Sequence, residues 1–344
     1  MKLKTFLILL LLSNLNLLAQ EFKTPVDYLN YISKEQVTIS RSTWKYTSAM
    51  AHSKSARKID ATRKQLIKSI DAASKKISVL KEGYKGDFEY RDQVLLYFEV
   101  CKNNLNEEYD KIINMQEVAE QSYDAMEAYL LTRDLINEKL DAENEKVHNA
   151  LRAFALKYKI TLSEGNTDLG NKIKLSNEVF DYHTVQYLIF FKVNFTDSNL
   201  NQAIEKKDLA AIQQNANTLM QYADEGLEKI KTLKPYKGDS TLLIATKKAL
   251  EYYKKQAQQY VPKLLEFLMF NDKFENAKLT LEAKSQKDRT KEEIDNYNSM
   301  VKQVNKEIDT YNKMSNANLQ EKNNIINTIN TTSENFISSN VPLD

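Results

Sequence analysis

Between Asp87 and Glu164, and again between Lys263 and Val341, the chain contains neither glycine nor proline. Only 6 glycines and 4 prolines occur in 344 residues, where average usage would place roughly 24 and 17. Sandwiches, barrels and doubly wound sheets need frequent turns, and turns consume those two residue types. Long helices do not. The expected class is therefore all-α, with helices of roughly 25 to 40 residues, or ~40 to 60 Å at 1.5 Å per residue. A chain that is 42% hydrophobic and 10% aromatic has enough for a packed core, which argues against wholesale disorder.

The first nineteen residues read as an export signal. Lys2 and Lys4 form a positive start, Phe6 to Leu12 an apolar run, and Leu17-Leu18-Ala19-Gln20 a cleavage point after Ala19. The apolar run is too short to span a bilayer, and no later stretch is long enough to do so. The single cysteine, Cys101, lies far from the cleavage point, so this is not a lipoprotein. It also leaves no intramolecular disulfide, and its helical neighbours Phe98 and Leu105 mark it as a small core residue. The expected mature chain is exported without a transmembrane segment, periplasmic or at the cell surface. Removing Lys2 and Lys4 from the 49 basic residues leaves 47 against 47 acidic ones. A balanced chain is not a general nucleic-acid binder.

The few glycines and prolines mark an internal repeat. Ile77, Leu80, Lys81, Tyr84, Lys85, Gly86 and Asp87 recur as Ile230, Leu233, Lys234, Tyr236, Lys237, Gly238 and Asp239, with one gap. The register extends outward through Ile59/Ile212, Leu66/Leu219 and Phe98/Leu250. A period of this size points to a duplicated domain rather than a short-period solenoid. The expected architecture is two tandem antiparallel helical bundles, elongated overall, one over residues 20–164 and one over 165–344. The loop from Ser163 to Gly170 divides them.

Each copy reads as four helices. Ser55, Asp87, Asp208 and Asp239 are the expected N-caps, and a last helix is expected to start near Asp272. In that helix Ile294, Tyr297, Val301, Val304, Ile308 and Tyr311 recur at 3-4 spacing, a heptad seam suited to a partner helix. The Asn-rich tail after Met314 is expected to fray before Pro342. Pro262, inside the apolar run VPKLLEFLMF, should kink its helix.

Chemistry-bearing patterns are few. The histidines His52, His148 and His183 have no second histidine at helical spacing, and the one Glu-x-x-His, Glu145 to His148, stands alone where a di-iron bundle uses two. There is no Gly-rich phosphate loop and no G-x-S-x-G elbow. No catalytic residue, cofactor or metal ligand is assigned. Tyr252, Tyr253 and Tyr260 read either as core tyrosines or as the wall of a groove. The repeated turn is the one short motif. It makes Tyr84, Lys85, Tyr236 and Lys237 the candidate contact tips, although turn geometry alone also accounts for the motif: glycine at positive φ, tyrosine over the bundle end, aspartate as cap.

The signal peptide, the long polar helices and the duplicated Tyr-Lys-Gly-Asp turn together resemble an uncharacterised family of all-helical exported or surface proteins of Gram-negative bacteria. That resemblance implies an exported location and brings no activity, cofactor or site residue. The imelysins are also duplicated helical bundles, but their G-x-H-x-x-E signature is missing here. The expected function is non-enzymatic, through contacts with a protein or the cell envelope. A bundle that binds a small ligand or metal, and a membrane-active helical protein, are the alternatives.

Overall fold

A computed structural model describes residues 22–121, 123–163 and 167–343. The export signal at residues 1–19 lies outside them, as does part of the dividing loop. Side chains at 107–124 and 127–137, including Tyr109, Ile112, Ile113, Glu117, Tyr129 and Ile136, also lie outside the description. The described residues are mostly helical, with no strand among them. Helices α1 (Pro25–His52), α2 (Ala56–Ser78), α3 (Glu89–Gln121) and α4 (Tyr123–Lys157) occupy the first half. The second half carries α5 (Asp168–Glu205), α6 (Leu209–Thr232), α7 (Thr241–Lys255), α8 (Val261–Glu282) and α9 (Lys291–Asn340). A π-helical turn, Gln256–Tyr260, joins α7 to α8 without a break.

Two compact units result. Among the described residues, the first takes 22–46, 55–111, 133–163 and 167–169, and the second takes 47–54, 112–121, 123–132 and 170–343. In the first unit, Leu66, Ile70, Ala73 and Ile77 form the buried stripe of α2 at helical spacing. They pack with Tyr28 and Ile32 of α1, Val94 and Phe98 of α3, and Val147, Ala150 and Phe154 of α4. In the second unit, Ile212, Ala216, Leu219 and Ala223 of α6 form the equivalent stripe. Val193 and Leu200 of α5, Ala249, Leu250 and Tyr253 of α7 and Ile329 of α9 complete that core.

Two of the expected caps form as read. The Ser55 side chain accepts from the Lys58 amide and Asp208 from the Ala211 amide. Asp239 accepts from the backbone amide and the hydroxyl of Thr241, at 2.8 and 2.6 Å. Asp87 instead turns its carboxylate to Lys157 Nζ at 2.7 Å.

The last helix does not start near Asp272. Asp272 is an exposed residue within α8, whose Lys, Glu and Leu neighbours are good helix formers. The chain reverses after Glu282, and α9 begins at Lys291. The true signal was Thr290 followed three residues later by Glu293. The threonine hydroxyl accepts from the Glu293 amide, and the Glu293 carboxylate accepts from the Thr290 amide, a reciprocal capping box.

Nor does the tail fray. Helix α9 continues to Asn340, because Ile329, Phe336 and Val341 are buried. Its asparagines obscured an apolar stripe with wide spacing. The heptad seam finds its partner in α8: Phe267 stacks on Tyr311 at 4.4 Å between centroids, and Phe274 on Tyr297 at 5.7 Å.

Lysine replaces glycine at several tight positions. Lys85, Lys159, Lys207 and Lys237 have φ of 52°, 53°, 53° and 49°. Lys159 and Lys207 end α4 and α5 in the left-handed position usually given to glycine. There Ile160 N–H reaches back to Ala155 O at 2.8 Å, and Asp208 N–H to Ala203 O at 3.1 Å, closing the last carbonyls of each helix. The shortage of glycine is thus met partly by strained lysines.

Candidate functional site

Tyr84-Lys85-Gly86-Asp87 closes as a two-residue turn with positive φ at both central positions, 52° and 85°. Tyr84 and Asp87 exchange both backbone hydrogen bonds, at 2.9 and 3.0 Å. Tyr236-Lys237-Gly238-Asp239 repeats this, with φ of 49° and 91° and bonds of 3.1 and 2.8 Å. These are mirror-image turns of the I′ kind, in which glycine and asparagine are normally preferred.

The tyrosines point inward. Tyr84 is 4% exposed. Its ring lies 5.9 Å from Tyr28, 6.0 Å from Phe154 and 5.1 Å from Tyr158. Tyr236 is half-buried, 5.4 Å from Tyr182 and 5.6 Å from Phe336. Each turn therefore seats a tyrosine against a tyrosine of the unit's first helix and a phenylalanine of its last. Lys85 and Lys237 are exposed, and each ammonium lies over the preceding tyrosine ring, at 5.4 and 5.2 Å. Lys237 also lies 3.7 Å from Glu178. Of the four candidate tips, the two lysines are the groups presented to solvent.

A second polar constellation was not anticipated. Asp197, on α5, is 1% exposed. Gln256, the first residue of the π turn, donates from Nε2 to Asp197 Oδ1 at 2.7 Å. Asn201 donates to Oδ2 at 3.1 Å, and Lys322 of α9 pairs with the same oxygen. Beside this group, Tyr253 donates to Asn194 Oδ1 at 2.8 Å, and Tyr252 to Asn318 Oδ1 at 3.2 Å. Burial lifts both phenols above their ordinary pKa, and the Asp197 charge adds to that lift. The neighbouring Tyr252 and Tyr253 are core residues with bonded hydroxyls rather than a groove wall.

The π turn has a cause in the sequence. In a regular helix the Pro262 ring would strike the carbonyl four residues earlier. The wider turn just before it, with Val261 N–H bonded to Gln256 O, relaxes that ladder. It also brings the Gln256 side chain onto Asp197. The one sequence signal for this site was an acidic residue in a helix rich in phenylalanine and valine.

Chemically, the Asp197 carboxylate is engaged by three side chains from α5, the π turn and α9, and works as a crosslink. Cys101 is half-buried, and burial pushes its thiol up to about 11, which keeps it protonated. His52 ends α1 with Nε2 at 3.2 Å from Pro342 O. Among the described residues, no group of three or more His, Cys, Asp or Glu side chains is placed to hold a metal ion. No helix among them is long and apolar enough to cross a membrane. No protein-family model, curated protein or solved structure matches the chain.

Proposed function

We propose that this is an exported, non-enzymatic protein built from two copies of one four-helix module, which acts by contact with a protein or envelope partner through the ends of its modules. The matched presentation of Lys85 and Lys237 carries this reading. Lysine in the left-handed region costs about 1 kcal/mol relative to glycine, yet both turns keep it with the ammonium outward.

Duplication is supported by more than the turn. Lys102 pairs with Asp71 at 2.7 Å, and Lys254 with Asp224 at 2.6 Å, at positions that the repeat aligns. The aromatic sets Tyr28/Tyr84/Phe154 and Tyr182/Tyr236/Phe336 cluster alike around the two turns, although the repeat does not align Phe154 with Phe336. Export rests on the first nineteen residues. A structural role for the Asp197 group is favoured because both carboxylate oxygens are taken up by neighbouring side chains.

The test is made in cells. A photo-crosslinking residue at position 85 or 237 of the full chain should give one adduct of the same mass from either site. Changing the other turn's lysine to glutamate should lower its yield. No adduct above the unmodified control would overturn the contact reading. Recovery of the chain from the cytoplasm with residues 1–19 intact would overturn export.

A further inference from the structure

Gln186 sits in the middle of α5 between Val185 and Tyr187, and it is 1% exposed. Neither its Nε2 nor its Oε1 meets a protein hydrogen-bond partner. A buried amide with both ends unpartnered is a large departure from how native interiors are built. The side chain borders a cavity of about 30 Å³ between α5, α7 and α9. Thr246, Asn330 and Ser333 contribute polar groups to its wall, and Phe190, Leu242 and Ile329 the apolar remainder.

We infer that Gln186 binds a single long-lived water molecule in this cavity, which links α5 to α7 and α9. Such a cavity needs roughly 10 to 15 Å³ to hold a water, so this one has room for it. The chemistry selects water over a monovalent cation. A cation would satisfy the amide oxygen but leave the two amide N–H groups unpaired, whereas water both donates and accepts. The Thr246 hydroxyl gives its hydrogen to Leu242 O at 2.9 Å, so its oxygen remains an acceptor for the water. Asn330 and Ser333 lie on the part of α9 that its composition marked as a loose tail. A water held there gives that polar helix a directional anchor in addition to Phe336. The site is independent of the proposed contact function.

Proton NMR on the mature chain, residues 20–344, tests this. The Gln186 side-chain amide should show cross-peaks to water with the sign of a residence time longer than molecular tumbling. Those peaks should vanish in Gln186→Leu and lose at least half their intensity in Thr246→Val, which still has the glutamine if the first variant fails to fold. A Gln186 amide that shows no water cross-peak overturns the inference. So does a crystal structure in which that amide bonds directly to Ser333 or Asn330. Saturable shifts of the Gln186 resonances with potassium chloride but not sodium chloride would replace the water with a cation.

Discussion

Asp197 on α5 and Lys322 on α9 form an ion pair whose carboxylate side chain is 2% exposed and whose ammonium side chain is 23% exposed. The two residues lie 125 positions apart, and the carboxylate is further held by Gln256 and Asn201. Removing one member of a buried pair leaves the other charge without compensation, which typically costs about 3 to 5 kcal/mol. Asp197→Ala should therefore lower stability by ~3 kcal/mol or more in urea denaturation. Lys322→Met leaves the more deeply buried charge, Asp197, with amide partners only and should cost at least as much. A cost near zero for Lys322→Met would mean that Asp197 is held chiefly by the amides and not by the lysine.

The left-handed lysines give a prediction of opposite sign. Lys207 ends α5 at φ 53° and is exposed. Lys207→Gly removes a Cβ penalty and should stabilise by about 0.5 to 1 kcal/mol, read as a rise in the denaturation midpoint. Lys207→Val should destabilise, since a β-branched residue fits that region worse.

The repeated turn separates two glycines. A Cβ on Gly83 would lie 2.0 Å from the Asp87 carbonyl oxygen, whereas one on Gly86 would meet nothing within 4 Å. Both have positive φ. Gly86→Ala should cost only the backbone strain, about 1 kcal/mol. Gly83→Ala must displace backbone and should cost clearly more in the same thermal scan.

Acid should weaken the fold through identifiable carboxylates. A hydrogen bond from Lys64 lowers the pKa of Asp60, one from Lys192 lowers Glu225, and one from Lys284 lowers Glu293. For Asp239, burial acts upward, but bonds from Thr241 and Asn340 outweigh it and leave its pKa lowered. A lowered folded-state pKa adds stability above the ordinary values of 3.8 for Asp and 4.5 for Glu. That stability is lost as pH falls through the folded values. The denaturation midpoint should be flat near pH 7 and fall below about pH 4.5. Glu225→Gln should flatten the upper part of that fall.

Burial predicts a quiet thiol. With its pKa pushed up to about 11, Cys101 should react with iodoacetamide at pH 8 far more slowly in the native chain than in urea, by at least about tenfold. Equal rates would place the thiol in solvent.

Much of the secondary structure was legible because it depends on local pattern. The absence of glycine and proline between Asp87 and Glu164 required long helices, and the Tyr-Lys-Gly-Asp repeat located two turns of one geometry. Ser55 and Asp208 revealed themselves as caps because capping acts over three residues. The start of α9 also had a local signal, the Thr290–Glu293 box, whereas the packing of the tail depended on contacts made across the chain. Asp272 looked like a helix start until α8 was seen to run through it, and the tail looked loose until Phe336 was placed against Tyr182 and Tyr236. The direction of Tyr84 was likewise open, since a turn residue points in or out according to what lies behind it. The Asp197 site had almost no sequence signal: its partners come from three separate helical segments, and only packing brings Gln256 and Lys322 to one carboxylate. Sequence alone determined the helices and most of their turns, because backbone freedom and hydrophobic period are local properties. Tertiary structure decided which polar groups are buried and what satisfies them, because an interior charge is tolerated only where distant side chains converge on it.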